Sequence, residues 1–324
     1  MRHRSEFLLM CLALGSLTAL SHLAIAADWP NRSVTVIVPF GAGGNTDMMA
    51  RLASQDLSAK FGQTFVVENR PSAGGALGTR AVASANPDGY TLEFAASSMV
   101  TLTPQVQKLD FDPTKELVPI TNVGTGTQMI AIKGSLPAKT LPEFLAYAKA
   151  NPGKLNFSVA GTQNISQLAP ALLFARAGVN IVMVPARSEP EAISDLLAGN
   201  VDLYFGNSSS LLPHRDNDNI RLIAVGTAQR IPAAPDIPTV AETLPGFEFS
   251  SWNGFLAPAQ TPDAIVSAIR AEVIAFVKKP EISQRLMKLG IVPGGLTKEQ
   301  NAAVFQHDSE AFAAGIKAAG ITRQ

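Results

Sequence analysis

One segment, residues 34–51, constrains the fold of this chain more than any other. Residues 34–40 read VTVIVPF, a run rich in β-branched side chains that predicts a strand buried on both faces. Residues 41–44 read GAGG and predict a tight turn, and Asn45, Thr46 and Asp47 are residue types that start a helix. Gly62 is placed to end that helix, whose apolar face would consist of Met49, Leu52, Ala53 and Leu57.

A strand, a glycine turn and a helix N-terminus in this order form a site for anions. The turn presents main-chain N–H groups at the positive end of the helix dipole, so an anion is held without a basic side chain. The segment therefore predicts binding before it predicts catalysis.

The first residues have the pattern of an export signal. Arg2 and Arg4 form a basic start, residues 7–20 are apolar, and Ala24 and Ala26 fit the small-x-small cleavage pattern. We expect cleavage after about Ala26 and a soluble protein in the periplasm, because the apolar run is too short for a comfortable membrane span.

The composition excludes several classes of function. Cys11 is the only cysteine and lies in the expected signal, so the mature chain would have no disulfide, thiol nucleophile or thiolate metal site. His214 and His307 are the histidines that remain after cleavage. The 26 basic residues balance the 26 acidic ones and form no basic run, which disfavours nucleic acid as a partner.

Strand-like and helix-like segments alternate along the chain, which predicts an α/β fold. Later strands are expected at 64–69, 91–95, 129–132, 155–160, 179–184, 202–205 and 221–225. Later helices are expected up to about 86 and at 141–150, 167–177 and 191–198, and the tail from Pro262 is helical with Ile265, Ile269, Val273 and Phe276 on one stripe. Such alternation is typical of parallel sheets with helices on both faces.

The length suggests two doubly wound lobes with a ligand cleft between them. Pro/Gly-rich stretches near 122–126 and 245–252 indicate that the chain crosses between the lobes twice. The expected division is a signal at 1–26, a first lobe at 27–124, a second lobe at 125–248, and a return to the first lobe at 249–324.

The catalytic and cofactor motifs that we sought do not occur. Residues 41–46 lack the last glycine of the dinucleotide fingerprint G-x-G-x-x-G, and residues 206–210 lack the last glycine of G-x-S-x-G. P-loop and H-E-x-x-H motifs are absent as well. We therefore expect no cofactor, no metal and no catalytic residue, although a carboxylate pair that the sequence does not reveal stays open.

Five stretches in a fixed order carry a resemblance to a known family. They are Trp29-Pro30 with residues 38–47, residues 68–71 with 73–75, residues 87–91, residues 235–242, and residues 252–254 with 257–258 and 261–262. Nearly end to end, the chain resembles the Bug family, the periplasmic solute receptors of tripartite tricarboxylate transporters. The resemblance implies a class II periplasmic-binding-protein fold, capture of a small organic carboxylate, and delivery of it to the permease subunits of such a transporter.

The resemblance also assigns the first part of the ligand site. In that family the turn after the first strand holds a ligand carboxylate through main-chain groups, often by way of water. This carries over to Phe40, Ala42, Gly43 and Gly44, with Thr46 and Asp47 beside them. A turn that needs positive φ would explain the glycines without a ligand, and Asp47 would favour the helix N-terminus without one, by roughly 0.3–1 kcal/mol.

Other site residues are expected at the ends of later strands. Ser97 and Ser98 follow the strand that ends near Ala96 and would face the cleft from the first lobe. The corresponding turn of the second lobe contains Gly161, Thr162 and Gln163, and Asn207 follows a further strand. The serines and the second turn fit plain helix caps equally well.

Two departures from the family pattern put its ligand specificity in doubt. Gln167 stands where relatives usually have histidine, and Ala186 where they tend to have tyrosine, while Glu189 adds an acid. Arg187 fits a second ligand carboxylate, a solvated surface position, or an ion pair with Glu189 or Glu191. Arg51, Arg70, Asp88 and Trp252 are interpreted as structural.

We therefore expect a monomeric periplasmic receptor for a small organic anion that closes by a hinge motion. A secreted hydrolase or isomerase on the same fold is the alternative, and a receptor that serves a sensor instead of a permease is another. Di- and tricarboxylates, aromatic acids and amino acids all suit such a cleft.

Overall fold

Strands and helices alternate throughout the computed structural model, which describes residues 29–162, 164–318 and 323. The expected signal segment and Gln163 lie outside the described residues. The strands are β1 (Val34–Val38), β2 (Phe65–Asn69), β3 (Thr91–Ala96), β4 (Leu117–Lys133), β5 (Asn156–Ala160), β6 (Val182–Ala186), β7 (Leu203–Asn207), β8 (Ile220–Val225), β9 (Ser250–Pro258) and β10 (Ile291–Pro293).

The helices connect these strands and cover the sheet. They are α1 (Asn45–Phe61), α2 (Ala76–Ala83), α3 (Ser98–Thr101), α4 (Thr103–Val106), α5 (Pro113–Glu116), α6 (Leu141–Ala150), α7 (Ile165–Ala177), α8 (Glu189–Ala198), α9 (Ser208–Leu211), α10 (Asp263–Val277), α11 (Pro280–Lys288) and α12 (Lys298–Ala318). None of the helices in the described part of the chain is long and apolar enough to cross a membrane.

The opening unit folds as predicted. Strand β1 is followed by the glycine turn and by α1, which ends at Gly62 in the left-handed conformation with φ of 70°. Met49, Ala53 and Leu57 on α1 are at most 1% exposed and pack against β1, with Leu52 partly buried beside them.

The sheet has the order β2-β1-β3-β9-β4-β7-β5-β6, with β8 and β10 also paired to β4. The expected parallel pairing holds for β1 with β2 and β3, and for β5 with β6 and β7. The strands at the centre are antiparallel, namely β9 to both β3 and β4, and β4 to β7 and β8. The two lobes are therefore mixed sheets, the first around β1–β3 and the second around β5–β7.

The predicted crossing near residues 122–126 is part of a strand. Strand β4 runs through both lobes and pairs with β9, with Thr125 opposite Trp252 and Thr127 opposite Ser250. Glycine is required at 124 because a Cβ there would lie 2.6 Å from the Ile291 side chain on β10. The two crossings are thus adjacent antiparallel strands.

Each lobe has its own core, and the C-terminal helices contribute to both. The predicted stripe on α10, from Ile265 to Phe276, is buried in the core that contains β1 and α1. On α12, Phe312 packs in the core of the second lobe, 5.8 Å from the ring of Phe249. The last helix therefore contacts both cores, through Phe312 and Phe305, and its assignment to the first lobe stays a prediction.

Strand β6 begins three residues later than the expected 179–184 strand. Gly178 ends α7 with φ of 65°, and the N–H of Val179 donates to the carbonyl of Phe174, which extends the helix cap past the glycine. The pairing of Val182 with Asn156 then starts the strand.

Candidate ligand-binding site

A small cavity lies between the two lobes, at the ends of β1 and β5. Its volume is about 80 Å³, enough for several water molecules. The lobes touch around it, since the N–H of Gly74 donates to the carbonyl of Thr162 over 2.8 Å and the Ser209 hydroxyl donates to Asn45 Oδ1 over 2.7 Å. Both lobes therefore contribute walls to the cavity.

Six of the predicted site residues line this cavity, and they come from both lobes. They are Phe40, Gly44, Thr46, Gly161, Arg187 and Asn207. The turn after β1 and the turn after β5 are thus brought together, as the strand-end argument requires.

Ala42, Gly43 and Asp47 lie in the same turn but not in the cavity wall. Ala42 and Gly43 are exposed, and Gly43 has φ of 80°, so the need for positive φ accounts for this glycine. Asp47 accepts the Gly43 N–H over 2.9 Å and hydrogen bonds from Arg51 and Asn69. Burial raises the pKa of Asp47, but these hydrogen bonds outweigh it and leave the pKa lowered.

Ser97 and Ser98 are fully buried behind the cavity. The Ser97 hydroxyl lies 3.1 Å from that of Ser251, which does line the cavity together with Asn253. Because β9 pairs with β3, it covers this edge and places its own polar side chains in the wall. Thr162 also lies outside the lining and joins the lobes through its carbonyl.

The carboxylate of Glu189, at the start of α8, reaches into the cavity and is held by five hydrogen bonds. Oε2 accepts from the Asn45 N–H over 2.5 Å and from the Ser210 hydroxyl over 3.3 Å. Oε1 accepts from the Tyr204 hydroxyl over 3.2 Å, and from the Asn207 side-chain Nδ2 over 2.6 Å and main-chain N–H over 3.4 Å. We call these donors the carboxylate cradle.

The cradle joins the two lobes and completes a helix. Asn45 is the first residue of α1, whose N-cap Gly44 supplies no side-chain cap, so Glu189 caps α1 from the opposite lobe. Burial and the neighbouring Glu189 raise the pKa of Tyr204 well above its usual value, which keeps its hydroxyl a donor.

One buried donor in the wall has no partner. Asn45 is 2% exposed and lines the cavity; its Oδ1 accepts from Ser209, while its Nδ2 makes no hydrogen bond. An unpaired buried amide costs roughly 1–3 kcal/mol, and a ligand oxygen would satisfy it.

Arg187 lies at the rim and points away from the cradle. Its side chain is 91% exposed and pairs with Glu191 at 3.1 Å, one turn further along the chain. This is the ion-pair alternative of the sequence analysis, with Glu191 as the partner. Arg51, Arg70, Asp88 and Trp252 all have partners within the protein: Asp47, Glu68, Arg32 and Asp308 respectively.

Sequence reasoning did not place Asn45, Glu189, Gln128, Ser251 and Asn253 in the site. Asn45 was recognised only as a helix start, and Glu189 only as a departure from the family pattern and as a candidate partner of Arg187. Glu189 could not be placed in the site because it meets Asn45 across 144 residues of chain. The polar side chains of β9 could not be placed because its antiparallel pairing is also a long-range feature.

The arrangement favours binding of a polar or anionic group. The wall combines a helix N-terminus, amides and hydroxyls. In the described part of the chain no group of three or more His, Cys, Asp or Glu residues is placed to hold a metal ion.

Comparison with known proteins agrees with this geometry. Residues 49–321 match the model of the tripartite tricarboxylate transporter family receptor. A UPF0065 protein from Pseudomonas sp. strain P51 is 34% identical over 87% of this chain and 84% of its own. Protein BugT of Bordetella pertussis is 30% identical over 91% of this chain and 92% of its own.

Solved structures give the same result. The R. palustris protein Rpa4515 with adipate has a TM-score of 0.88 and 31% identity, covering 92% of this chain and 100% of that one. MatC from Rhodopseudomonas palustris with bound malate has a TM-score of 0.84 and 29% identity, covering 89% of this chain and 100% of that one. This chain belongs to the Bug family, the receptors of tripartite tricarboxylate transporters.

Proposed function

We propose that this protein is a periplasmic receptor that closes around a small organic carboxylate and delivers it to the permease subunits of a tripartite tricarboxylate-type transporter. The observation that carries the proposal is the cavity between the lobes, whose wall combines the N-terminus of α1 with side chains of the second lobe. A ligand that contacts both lobes favours the closed form, because closure requires differential affinity.

The chemistry of the wall supports a carboxylate ligand. The cavity already accommodates one carboxylate, that of Glu189, on main-chain and side-chain donors. Adipate and malate are the molecules bound by the two R. palustris relatives. Within this chain, we place the ligand against Phe40, Gly44, Thr46, Gly161 and Asn207, with Asn45 as a further donor.

Among the other expected site residues, which do not line the cavity, two support residues of its wall or turn. Asp47 fixes the turn through the Gly43 N–H, and Ser97 supports Ser251. Thr162 joins the lobes through its carbonyl, and Ala42 and Ser98 lie outside the cavity wall. Closure would move residues 27–124 and 249–324 against 125–248, with the paired β4 and β9 as the hinge.

The proposal also includes export to the periplasm and the absence of a catalysed reaction. Membership in a family of periplasmic receptors supports removal of the first 26 or so residues, and N-terminal sequencing of the mature protein would test this. A receptor binds its ligand and releases it unchanged, whereas the hydrolase or isomerase alternative would consume it. The family membership favours the receptor.

A thermal-shift screen of organic acids, followed by small-angle scattering, tests the proposal. We expect one class of carboxylate to raise the melting temperature and to make the protein more compact. Stabilisation without compaction would argue against closure between the lobes, and loss of the acid on incubation would argue for an enzyme.

A further inference from the structure

The group that occupies the best anion-binding position of the cleft belongs to the protein itself. Glu189 takes the N–H at the start of α1, the main-chain N–H of Asn207 and a hydrogen bond from the Asn207 side-chain amide, groups that a ligand carboxylate would otherwise use. The hydroxyls of Tyr204 and Ser210 complete its shell. Five hydrogen bonds surround the two oxygens of this carboxylate, so a second carboxylate cannot occupy the same position while Glu189 is there.

The charges around the cavity also oppose a second carboxylate. Arg187 and Glu189 are the charged residues of its lining. Arg187 faces solvent and pairs with Glu191, so the Glu189 charge has no cation beside it within the cavity. An additional ligand carboxylate next to Glu189 would meet a like charge in a partly enclosed cleft, where screening is weaker than in bulk water.

The wall beside the cradle also contains an unpaired amide. Asn45 Nδ2 is buried and unpaired, on the residue whose main-chain N–H binds Glu189. Its two N–H groups can donate to a neutral oxygen or to a single carboxylate.

We propose that Glu189 determines specificity: it fills the carboxylate cradle with a group of the protein, so that the cleft takes acids with a single carboxylate and discriminates against dicarboxylates. This rests on the proposed receptor function and narrows its ligand class. It also separates this chain from the relatives that bind adipate and malate, which are dicarboxylates.

Acetate tests the cradle without knowledge of the ligand. In Glu189→Ala the cradle is empty, and we expect acetate to raise the melting temperature by at least about 2 °C more than equimolar chloride does. Wild-type protein, whose cradle is filled, is expected to show a smaller difference, since acetate can then bind only beside the cradle.

Glu143→Ala is the matched control for this experiment. Glu143 also lies in the first turn of a helix, α6, and accepts the Lys139 N–H, but it is exposed and far from the cleft. Acetate should not stabilise this variant selectively. If acetate stabilises Glu189→Ala no more than the control, the cradle does not hold a carboxylate and the inference is wrong.

Calorimetry with acids matched in chain length tests the selectivity. For wild-type protein we expect each monocarboxylate that binds, such as hexanoate, to bind at least tenfold tighter than its dicarboxylate counterpart, such as adipate. Glu189→Gln keeps the size of the side chain and removes its charge, so the affinity for the dicarboxylate should rise at least tenfold relative to the monocarboxylate. Glu189→Gln also tests the specificity role if Glu189→Ala does not fold.

The outcomes separate this inference from the proposed function. A dicarboxylate that binds wild-type protein as tightly as its monocarboxylate counterpart overturns the specificity role of Glu189. Acetate could stabilise Glu189→Ala selectively while wild-type protein binds no organic acid. This result would support the carboxylate cradle and contradict the proposed receptor function.

Discussion

Glu189 of the second lobe caps the first helix of the first lobe, with its Oε2 2.5 Å from the main-chain nitrogen of Asn45. The local N-cap, Gly44, has no side chain to do so. The lobe closure that we propose and the capping of α1 are therefore coupled, since the contact joins residues of the two lobes. A helix cap contributes about 1 kcal/mol, which stabilises the closed form by a comparable amount.

Gly44→Ala should weaken ligand binding without disturbing the fold. With φ of −81° and ψ of 177°, Gly44 has a conformation open to any residue, but a Cβ there would lie 2.9 Å from Glu189 Oε2. We expect at least a tenfold loss of affinity by calorimetry, about 1.4 kcal/mol. In a Glu189→Ala background the same substitution should lower the ligand affinity less than about threefold, since no carboxylate then opposes the new Cβ.

Gly43→Val is a poorer test of the turn. Gly43 has φ of 80°, and a β-branched residue is strained there whatever the ligand does. A loss of binding in that variant would not distinguish strain from a blocked site.

For Gly44→Ala, an equal loss of affinity in the wild-type and the Glu189→Ala backgrounds would contradict the coupling between Glu189 and α1.

Trp252 should report closure through its fluorescence. It lies on β9 at the crossing, donates its indole N–H to Asp308, and packs 4.7 Å from the ring of Phe305. The other tryptophan, Trp29, packs against Phe61 in the first core. We expect the ligand to change the tryptophan fluorescence. Trp252→Phe should abolish this change, and Trp29→Phe should retain it. The reverse pattern would show that β4 and β9 are not the hinge.

Glu93 should make the stability of the protein fall as the pH rises. It is fully buried on β3, and burial raises its pKa to about 7, only partly opposed by a hydrogen bond from Thr79. Between the unfolded value of 4.5 and about 7, the folded protein keeps a proton that the unfolded chain has lost, so stability declines across this range and this contribution is constant above it.

Glu93→Gln removes this dependence. Relative to wild-type protein, its free energy of unfolding in urea should increase by up to about 3 kcal/mol between pH 5 and pH 8, which is the shift of the pKa expressed as energy. Parallel stability profiles for the two proteins would show that Glu93 is ionised in the folded state.

Asp47→Ala should destabilise the turn without removing a group from the cavity wall. Its carboxylate is the acceptor for the Gly43 N–H, the Asn69 amide and the Arg51 guanidinium. We expect a loss of roughly 1–3 kcal/mol near pH 7, since donors are left unpaired. Because the pKa of Asp47 is lowered, the difference from wild type should shrink as the pH falls through that pKa. An unchanged urea midpoint would contradict this role.

Local patterns predicted the local elements well. The β-branched run, the glycine turn and Gly62 gave β1 and α1, because strand propensity, helix periodicity and the left-handed cap act within a few residues. Helix α6 likewise has the predicted bounds, Leu141–Ala150, with Thr140 as its cap.

Long-range pairing was not predictable from the same patterns. Strand β4 contains Pro119, Gly124 and Gly126, which indicate a linker locally, yet its pairing with β9 satisfies the main chain and makes it the longest strand described. The same pairing places Ser251 and Asn253 in the cavity wall in front of Ser97. Glu189 became part of the site only through the approach of the two lobes.

Native mass spectrometry of the protein purified from the periplasm tests the central claim most directly. We expect a fraction of the molecules to carry one small organic acid, and the same acid, released and returned to the protein, to rebind with one molecule per chain and to keep its mass after prolonged incubation. Conversion of the acid to a product, or a bound molecule that is not an organic acid, would contradict the account.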